Sequence, residues 1–325
     1  MHRNSLKIVA IFLLVILSSW GFLVHRTITQ TAIYSLPDSM QVFYYKNSKE
    51  LVKASVEPDV RQRTDSTEKT KHFIDLDSPL FKGKPIPDKW EMAVKKYGEK
   101  KLRIEGTLPW EIIKTKKKLS QAFISKDKTL IVLYSADLAH YVADAFVPLH
   151  TTMNYDGQLT NQVGLHSLWE TECPQFFLEN YNLNQNTQLR YLKNMDKEIW
   201  QILRESEKLV KTVIEVEKSC SNDFDPNLKY RFQTRNGIEE RKYSAQFIKA
   251  YNEKMASQIN TRLLKSSEMI ANFWYTAWVD AKKPNLNGLV DFSDEDLNNL
   301  KEEKEAWKAN LLIEKKLLRA KNGNN

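Results

Sequence analysis

The stretch His140-Tyr-Val-Ala-Asp144-Ala-Phe-Val-Pro148-Leu-His150 constrains this chain more than any other. His140 and Asp144 stand four apart in an apolar run, so a helix carrying them puts both on one face, one turn apart. Pro148 ends that helix, and the turn behind it brings His150 back towards the same point. Sixteen residues later His166-Ser-Leu-Trp-Glu170 repeats the i, i+4 spacing. Imidazole and carboxylate at these spacings are a ligand set that zinc takes. One His-x3-Asp pair on a helix is usually a hydrogen-bonded pair and nothing more, whereas two such pairs with a third histidine between them are much rarer by chance. The chain has only six histidines, His2, His25, His72, His140, His150 and His166, and three of them fall in this window.

The chain has 325 residues, 42% of them hydrophobic, enough for a substantial core in one large domain or one domain plus an appendage. Neither composition nor charge points to disorder. Arg3 and Lys7 precede an uncharged apolar run, Ile8 to Leu17, and then Ser18-Ser19. This pattern reads as a secretory signal over residues 1–19, too short to span a membrane comfortably, with cleavage between Ser19 and Trp20. Leu17 is larger than the small residue preferred three before such a cut. The expected destination is the periplasm or the exterior. Removing residues 1–19 takes away two basic and no acidic residues, so the net charge falls from +8 to +6. That mild basicity is compatible with a polyanionic or membrane-surface substrate. Cys173 and Cys220 are the only cysteines; they could form one disulfide in an exported protein, and the chain does not depend on a disulfide framework.

Helical patterning dominates the remainder, and the expected class is all-α. His25, Ile28 and Ala32 share one face of a first helix that runs until Pro37. Asp38-Ser39 and Asn47-Ser48 have the chemistry of caps for two short helices, the second ending before Pro58. Residues 57–88 lack helical periodicity and are rich in charge, Ser, Thr and Pro, so they read as a long loop carrying Asp59 and His72-Phe-Ile-Asp75-Leu-Asp77; loops this long tend to be functional. Further helices are expected from Asp88-Lys-Trp90 to Gly98, from Pro109-Trp110 to Phe123, from Lys128 to Phe146, and from His166 towards Phe177. Residues 187–218 and 242–281 carry long 3.6-period patterns, the second ending in Phe273-Trp274-Tyr275-Trp278, an aromatic group read as core. Ser293-Asp-Glu-Asp296 has capping-box spacing ahead of a charged helix to about Ala320, expected to pack loosely as an appendage. No internal repeat, Gly-rich phosphate loop or cysteine zinc finger is present.

With these residues laid out, the chain resembles the superfamily that joins bacterial zinc-dependent phospholipase C to the fungal-type zinc single-strand nucleases. The likeness spans about Trp20 to Ala281 and uses every histidine except His2. It implies a multi-helix domain over residues 20–285 with a trinuclear zinc cleft, followed by a charged helical extension over 286–325. Asp59, His72, His140 and Asp144 would hold one zinc, and His150, His166 and Glu170 a second. The α-amino nitrogen and carbonyl oxygen of Trp20, His25 and a bridging Asp144 would hold a third. The implied chemistry is phosphodiester hydrolysis by a zinc-activated hydroxide, with Asp59 orienting or deprotonating the water and Asp144 shared between ions.

The same resemblance frames the substrate as a phospholipid headgroup or single-stranded nucleic acid, with no stable protein partner. Gln62 stands where the nucleases place an arginine, with Arg61 and Arg63 on either side. Glu170 and the phrase His-Ser-Leu-Trp-Glu look like phospholipase C. Pro148-Leu149-His150 and His-Phe-Ile-Asp look like the nucleases, in which the residues matching Phe73 and Asp75 stack on and hydrogen-bond a base. The expectation is an exported zinc phosphodiesterase, phospholipase C ahead of nuclease. The rivals are a non-catalytic zinc-binding envelope protein and, more weakly, a nucleic-acid module without chemistry.

Overall fold

The computed structural model describes residues 22–184, 188–235 and 238–322. Among them the architecture is all-α apart from one two-stranded antiparallel hairpin. Four short helices open it: α1 (Phe22–Tyr34), α2 (Asp38–Lys46), α3 (Ser48–Ala54) and α4 (Glu57–Arg61). There follow α5 (Trp90–Tyr97), α6 (Glu99–Glu105), α7 (Leu108–Ser125) and α8 (Lys128–Asp144). Beyond the His150–His166 segment come α9 (Cys173–Phe177), α10 (Met195–Asn222), β1 (Tyr230–Arg235), β2 (Ile238–Tyr243), α11 (Ala245–Asp280), α12 (Asp294–Lys308) and α13 (Arg319–Asn322). Among the described residues, no helix is long and apolar enough to cross a membrane.

The helix α8 is the axis of the fold. Asp127 starts it as an N-cap whose side chain accepts from Leu130 N at 2.9 Å. From Ser135 onward almost every side chain is buried, and the helix packs against α1, α3, α7 and α11. A helix enclosed in this way is apolar all round rather than amphipathic. Its few polar groups are all engaged: Ser135 Oγ pairs with Tyr44 Oη at 2.8 Å, and Ser135 O accepts from Trp274 Nε1 at 3.0 Å. Phe273, Trp274 and Trp278 on α11 are buried core, as their pattern indicates. The helix α1 is also almost wholly buried and keeps its threonines there by local bonding, Thr27 Oγ1 donating to Leu23 O at 2.7 Å and Thr31 Oγ1 to Thr27 O at 3.1 Å.

Several local expectations need correction. Residues 57–61 form α4, with Pro58 in its first turn, so Asp59 projects from a short helix and not from a loop. The cap of α2 is Pro37, with no side-chain cap bond, and Asp38 is already helical. The helix after His166 opens as a wide π turn, Ser167–Glu172, in which Cys173 N bonds Leu168 O five residues back. Pro174 supplies the reason: it has no N–H to give to the carbonyl of Glu170, so the α-helical bond at that position cannot form. The long pattern placed from residue 187 becomes helical only at Met195, where Asn194 caps it through Lys197 N. The hairpin, with Tyr230 opposite Tyr243 and Phe232 opposite Arg241, went unforeseen. Cys173 and Cys220 are both buried and both free.

The C-terminal segment is no loose appendage. The capping box of Ser293 and Asp296 is present, yet the helix ends at Lys308, and Asn310 turns the chain at a positive φ of 57°. Glu303 then accepts from Tyr34 Oη at 2.7 Å, Tyr45 Oη at 3.0 Å and Arg319 Nη1 at 2.7 Å. Gln30 Nε2 donates to Leu317 O at 2.9 Å, and Arg319 N donates to Gln30 Oε1 at 2.7 Å. Trp307 packs in a second small core with Tyr34, Leu300 and Leu312. The charge run that reads as a solvated face thus closes over the side of α1.

Candidate metal centre

Five histidines and three carboxylates from six separate segments meet at the end of α8. The helix supplies His140 and Asp144, both buried, on the shared face that their spacing demands. Asp59 comes from α4, His25 from α1, and His150 from the short turn that begins at Pro148. His166 and Glu170 lie at the mouth of the π turn. His72 is held by its neighbours: Ile74 N donates to His150 O at 2.9 Å and Leu76 N to Thr151 O at 3.0 Å, so the two ligand-bearing segments run side by side. Gly106, at a φ of 94°, packs against Phe73 so closely that an added Cβ would lie 2.0 Å from the Phe73 carbonyl oxygen. Only glycine lets the backbone come that near.

The donor atoms sort into three groups that could each hold a metal ion. In the first, His72 Nδ1 lies 3.6 Å from Asp59 Oδ1 and 3.0 Å from Asp144 Oδ2, while His140 Nε2 lies 3.1 Å from His72 Nδ1 and 3.5 Å from Asp59 Oδ1. In the second, His150 Nε2 stands 3.0 Å from His166 Nε2 and 3.4 Å from Glu170 Oε2, with His166 Nε2 2.6 Å from that same oxygen. The third is centred on His25, whose ring stacks on His140 at 4.1 Å and whose Nε2 is 3.5 Å from both Asp144 Oδ1 and Glu170 Oε1. Ligands about 2.0–2.1 Å from a tetrahedral zinc stand about 3.3 Å apart, within the 2.6–3.6 Å range of these donor pairs. Each of the two carboxylates, Asp144 and Glu170, splits its oxygens between neighbouring groups.

Tautomers follow from the outer partners. His140 Nδ1 faces Ser55 O at 2.9 Å and His150 Nδ1 faces His72 O at 2.5 Å; a carbonyl can only accept, so both Nδ1 atoms carry hydrogen. In its neutral form each ring therefore turns a bare Nε2 lone pair into the site, towards other lone pairs. Such crowding is repulsive unless protons or a cation sit between the atoms. An Nδ1–H anchored on a carbonyl is the support that metal-bound imidazoles usually have.

Electrostatics make the same demand. Burial alone would keep Asp59, Asp144 and Glu170 neutral, yet the surrounding imidazoles hold all three below the usual carboxylate range: His140, His72 and His25 for Asp59, His140, His150 and His72 for Asp144, and His150, His166 and His25 for Glu170. Burial likewise opposes charge on His72 and His150. Hydrogen bonds and charge from Asp144, Glu68 and Asp59 nevertheless raise His72 to about 9, and Asp144, Glu170 and the His72 carbonyl raise His150 to about 10. Without a metal, the anionic charge is balanced by protons on imidazole. A bound cation would take the place of those protons.

Around the donors, the structure locates groups that sequence reading missed. Glu68, buried behind His72, has Oε1 3.7 Å from His72 Nε2, accepts from Tyr141 Oη, and pairs with Lys71 Nζ at 2.5 Å. Its only sequence signal was the spacing Glu68-x3-His72. Gln62 Nε2 donates to Asp59 Oδ1 at 3.0 Å. Arg61 is turned away to Asp137 at 3.0 Å and towards Glu68 at 3.4 Å. Phe73 is half-buried and lies outside the hydrophobic core. Asp75, half-buried as well, is pushed up to about 7 by burial and by Asp77 and Glu105. Trp20 lies outside the described residues. No family model matches the chain, and no curated protein matches it.

Proposed function

We propose that the protein is an exported zinc-dependent phosphodiester hydrolase of the phospholipase C type. One observation carries this reading: three donor groups share one pocket, with Asp144 and Glu170 each reaching into two of them. Imidazole with carboxylate suits zinc, and a group of three donors such as His150, His166 and Glu170 leaves a fourth position for water or substrate, as catalytic zinc sites do. The third group gathers His25, His140 and Asp144, of which His140 also belongs to the first, and the α-amino group and carbonyl of Trp20, freed by cleavage after Ser19, would complete it. Bound there, zinc lowers the pKa of a water towards neutrality and neutralises phosphate oxygens and the leaving alkoxide.

The chain's own groups divide the remaining work. Asp59, whose side chain is 20% exposed against 1% for Asp144, is the carboxylate best able to reach a water from solvent. Held below the usual range, it is suited to orienting that water by accepting a hydrogen bond rather than to keeping its proton. Gln62 fixes the Asp59 carboxylate through Oδ1. Asp144 is too deeply buried to meet substrate and serves the ions alone.

Gln62 and Arg61 favour a phospholipid over a nucleic acid. Arg61 is engaged by Asp137 and Glu68 and glutamine stands at the next position, so the phosphate-clamping arginine of the nuclease pattern is missing from α4, and exposed Arg63 lies two residues beyond its end. A single-strand nuclease is the second reading, favoured by Phe73, whose half-buried ring outside the core could stack on a base. The deciding experiment assays the mature protein side by side on phosphatidylcholine and denatured DNA, with and without chelator. Chelator-sensitive release of phosphocholine supports the first reading, chelator-sensitive DNA cleavage the second. Activity on neither, with zinc bound, overturns both.

A further inference from the structure

The segment 152–165 joins two candidate ligands, following His150 by one residue and ending immediately before His166. Within eleven residues it exposes four large apolar side chains: Met153 at 40%, Tyr155 at 51%, Leu159 at 68% and Val163 at 48%. Scattered exposed apolar residues need no explanation, but a cluster on one loop at the rim of a site does. Its only charged residue, Asp156, points its carboxylate back at His166 N, 3.3 Å away.

Hydrogen bonds make this loop rigid despite its exposure. Asp77 accepts from Thr152 Oγ1 at 2.7 Å and from Met153 N at 2.9 Å. Asn154 accepts from Leu159 N at 2.7 Å, and Gln158 Nε2 donates to Met153 O at 2.6 Å. Gly157 presses on the Gln162 carbonyl, which a Cβ would approach to 2.4 Å. The base of the loop is fused to the hairpin: buried Glu217 accepts from Gln162 Nε2, from Tyr243 Oη at 2.9 Å and from Lys229 Nζ at 2.8 Å. Residues 229–243 hold five basic and two acidic residues. On the strands Phe232 is 64% exposed and Arg241, its cross-strand partner on the same face, is exposed as well, whereas Arg231 points from the opposite face towards Glu172.

We infer that loop 152–165 and the basic hairpin beside it form one rigid docking surface for an anionic phospholipid bilayer, seating the metal centre against the membrane. Apolar side chains of the loop enter the headgroup and acyl boundary, while Arg241, on the face it shares with Phe232, meets anionic headgroups; this is the division of labour of interfacial membrane binding. A second copy of the chain would bring one basic hairpin against another, which like charges oppose. The purpose of the surface rests on the phospholipase reading, but its existence can be tested apart from catalysis.

The test is cosedimentation of the full mature chain, chelated so that no turnover occurs, with vesicles of phosphatidylglycerol and phosphatidylcholine or of phosphatidylcholine alone. Wild type should pellet preferentially with the anionic vesicles and release at high salt. Tyr155→Ser with Leu159→Ser should weaken partitioning by roughly tenfold at an unchanged thermal midpoint, since both side chains face solvent. Arg241→Gln should reduce the preference for anionic lipid. Wild type that stays in the supernatant with both vesicles overturns the surface, even where zinc-loaded protein hydrolyses a soluble phosphodiester. Binding that the substitutions leave intact also overturns it, as does a dimer in sedimentation velocity that the Leu159 variant dissociates. Vesicle binding without hydrolysis of any ester would uphold the surface and count against the enzyme reading.

Discussion

Asp144 gives one carboxylate oxygen to His72, 3.0 Å from Nδ1, and turns the other towards His25, 3.5 Å from Nε2. His140, whose ring stacks on His25 and whose Nε2 is 3.1 Å from His72 Nδ1, links the same two segments, but only Asp144 does so with a charge. In the proposed enzyme Asp144→Asn should lose at least one of about three zinc ions per chain and lower turnover by at least about 100-fold, the upper end of what losing a supporting partner costs. Metal analysis of wild type and variant checks both numbers. One zinc or none in active wild-type protein rules out three sites, and an Asp144→Asn protein with full zinc and near-normal turnover rules out the bridge.

The proposed third ion depends on where the mature chain starts. An amide nitrogen has no lone pair available at neutral pH, so a chain still carrying residues before Trp20 should lose that ligand and stay poorly metallated. N-terminal sequencing of exported protein should read Trp20 first. A version with one extra residue before Trp20 should bind less zinc; full zinc content and activity in that version would remove the terminal amine from the ligand set.

Chelated protein should become less stable as pH rises. His72 and His150 have folded values raised to about 9 and about 10, above the ordinary imidazole value. The stability they contribute is complete below about 6.5 and is lost as pH climbs through 9 and 10. Thermal midpoints of metal-free protein from pH 6 to 10 should therefore fall. Added zinc should flatten that slope, because the ions displace the same protons, and its affinity should rise with pH. A midpoint in chelator that holds level or rises between pH 7 and 10 would contradict the proton inventory of the site.

Phe73→Ala separates the two substrates. Where Phe73 stacks a base, the substitution should cost about 1–3 kcal/mol of binding to single-stranded nucleic acid, measured by titration of chelated protein. In the phospholipase reading the loss is confined to headgroup contacts and DNA binding is weak before and after. Tight DNA binding that the substitution leaves unchanged would return Phe73 to a packing role.

How much of the site was legible follows from which of its contacts are periodic. His140 with Asp144, and His166 with Glu170, are neighbours by helix geometry and could be paired from spacing alone. The π turn is a different matter: Pro174 was visible, but its effect on the Glu170 carbonyl needs the register of the helix before it. Glu68 behind His72 and Gln62 on Asp59 are short-range contacts with spacing signals too common to stand out. The hairpin carries one sequence signal, Asn236-Gly237 between Tyr230–Arg235 and Ile238–Tyr243, but the second of these runs lacks the apolar–polar alternation that marks a strand. No local signal exists for the closure of Glu303 over Tyr34, a contact 269 residues apart. A charged helix announces its wet face, and its dry face is defined only by what it meets.

That closure has a temporal side. The bonds that seat α1, from Tyr34 to Glu303, Gln30 to Leu317 and Arg319 to Gln30, join residues separated by 269, 287 and 289 positions. A nascent chain that has reached Lys308 already owns every candidate ligand, yet still lacks Leu317 and Arg319, which grip the helix bearing His25. Contacts of such long range form late, since the intervening chain must be ordered first. Metal loading of the proposed enzyme would therefore follow the arrival of Leu317 and Arg319, which lock the first helix.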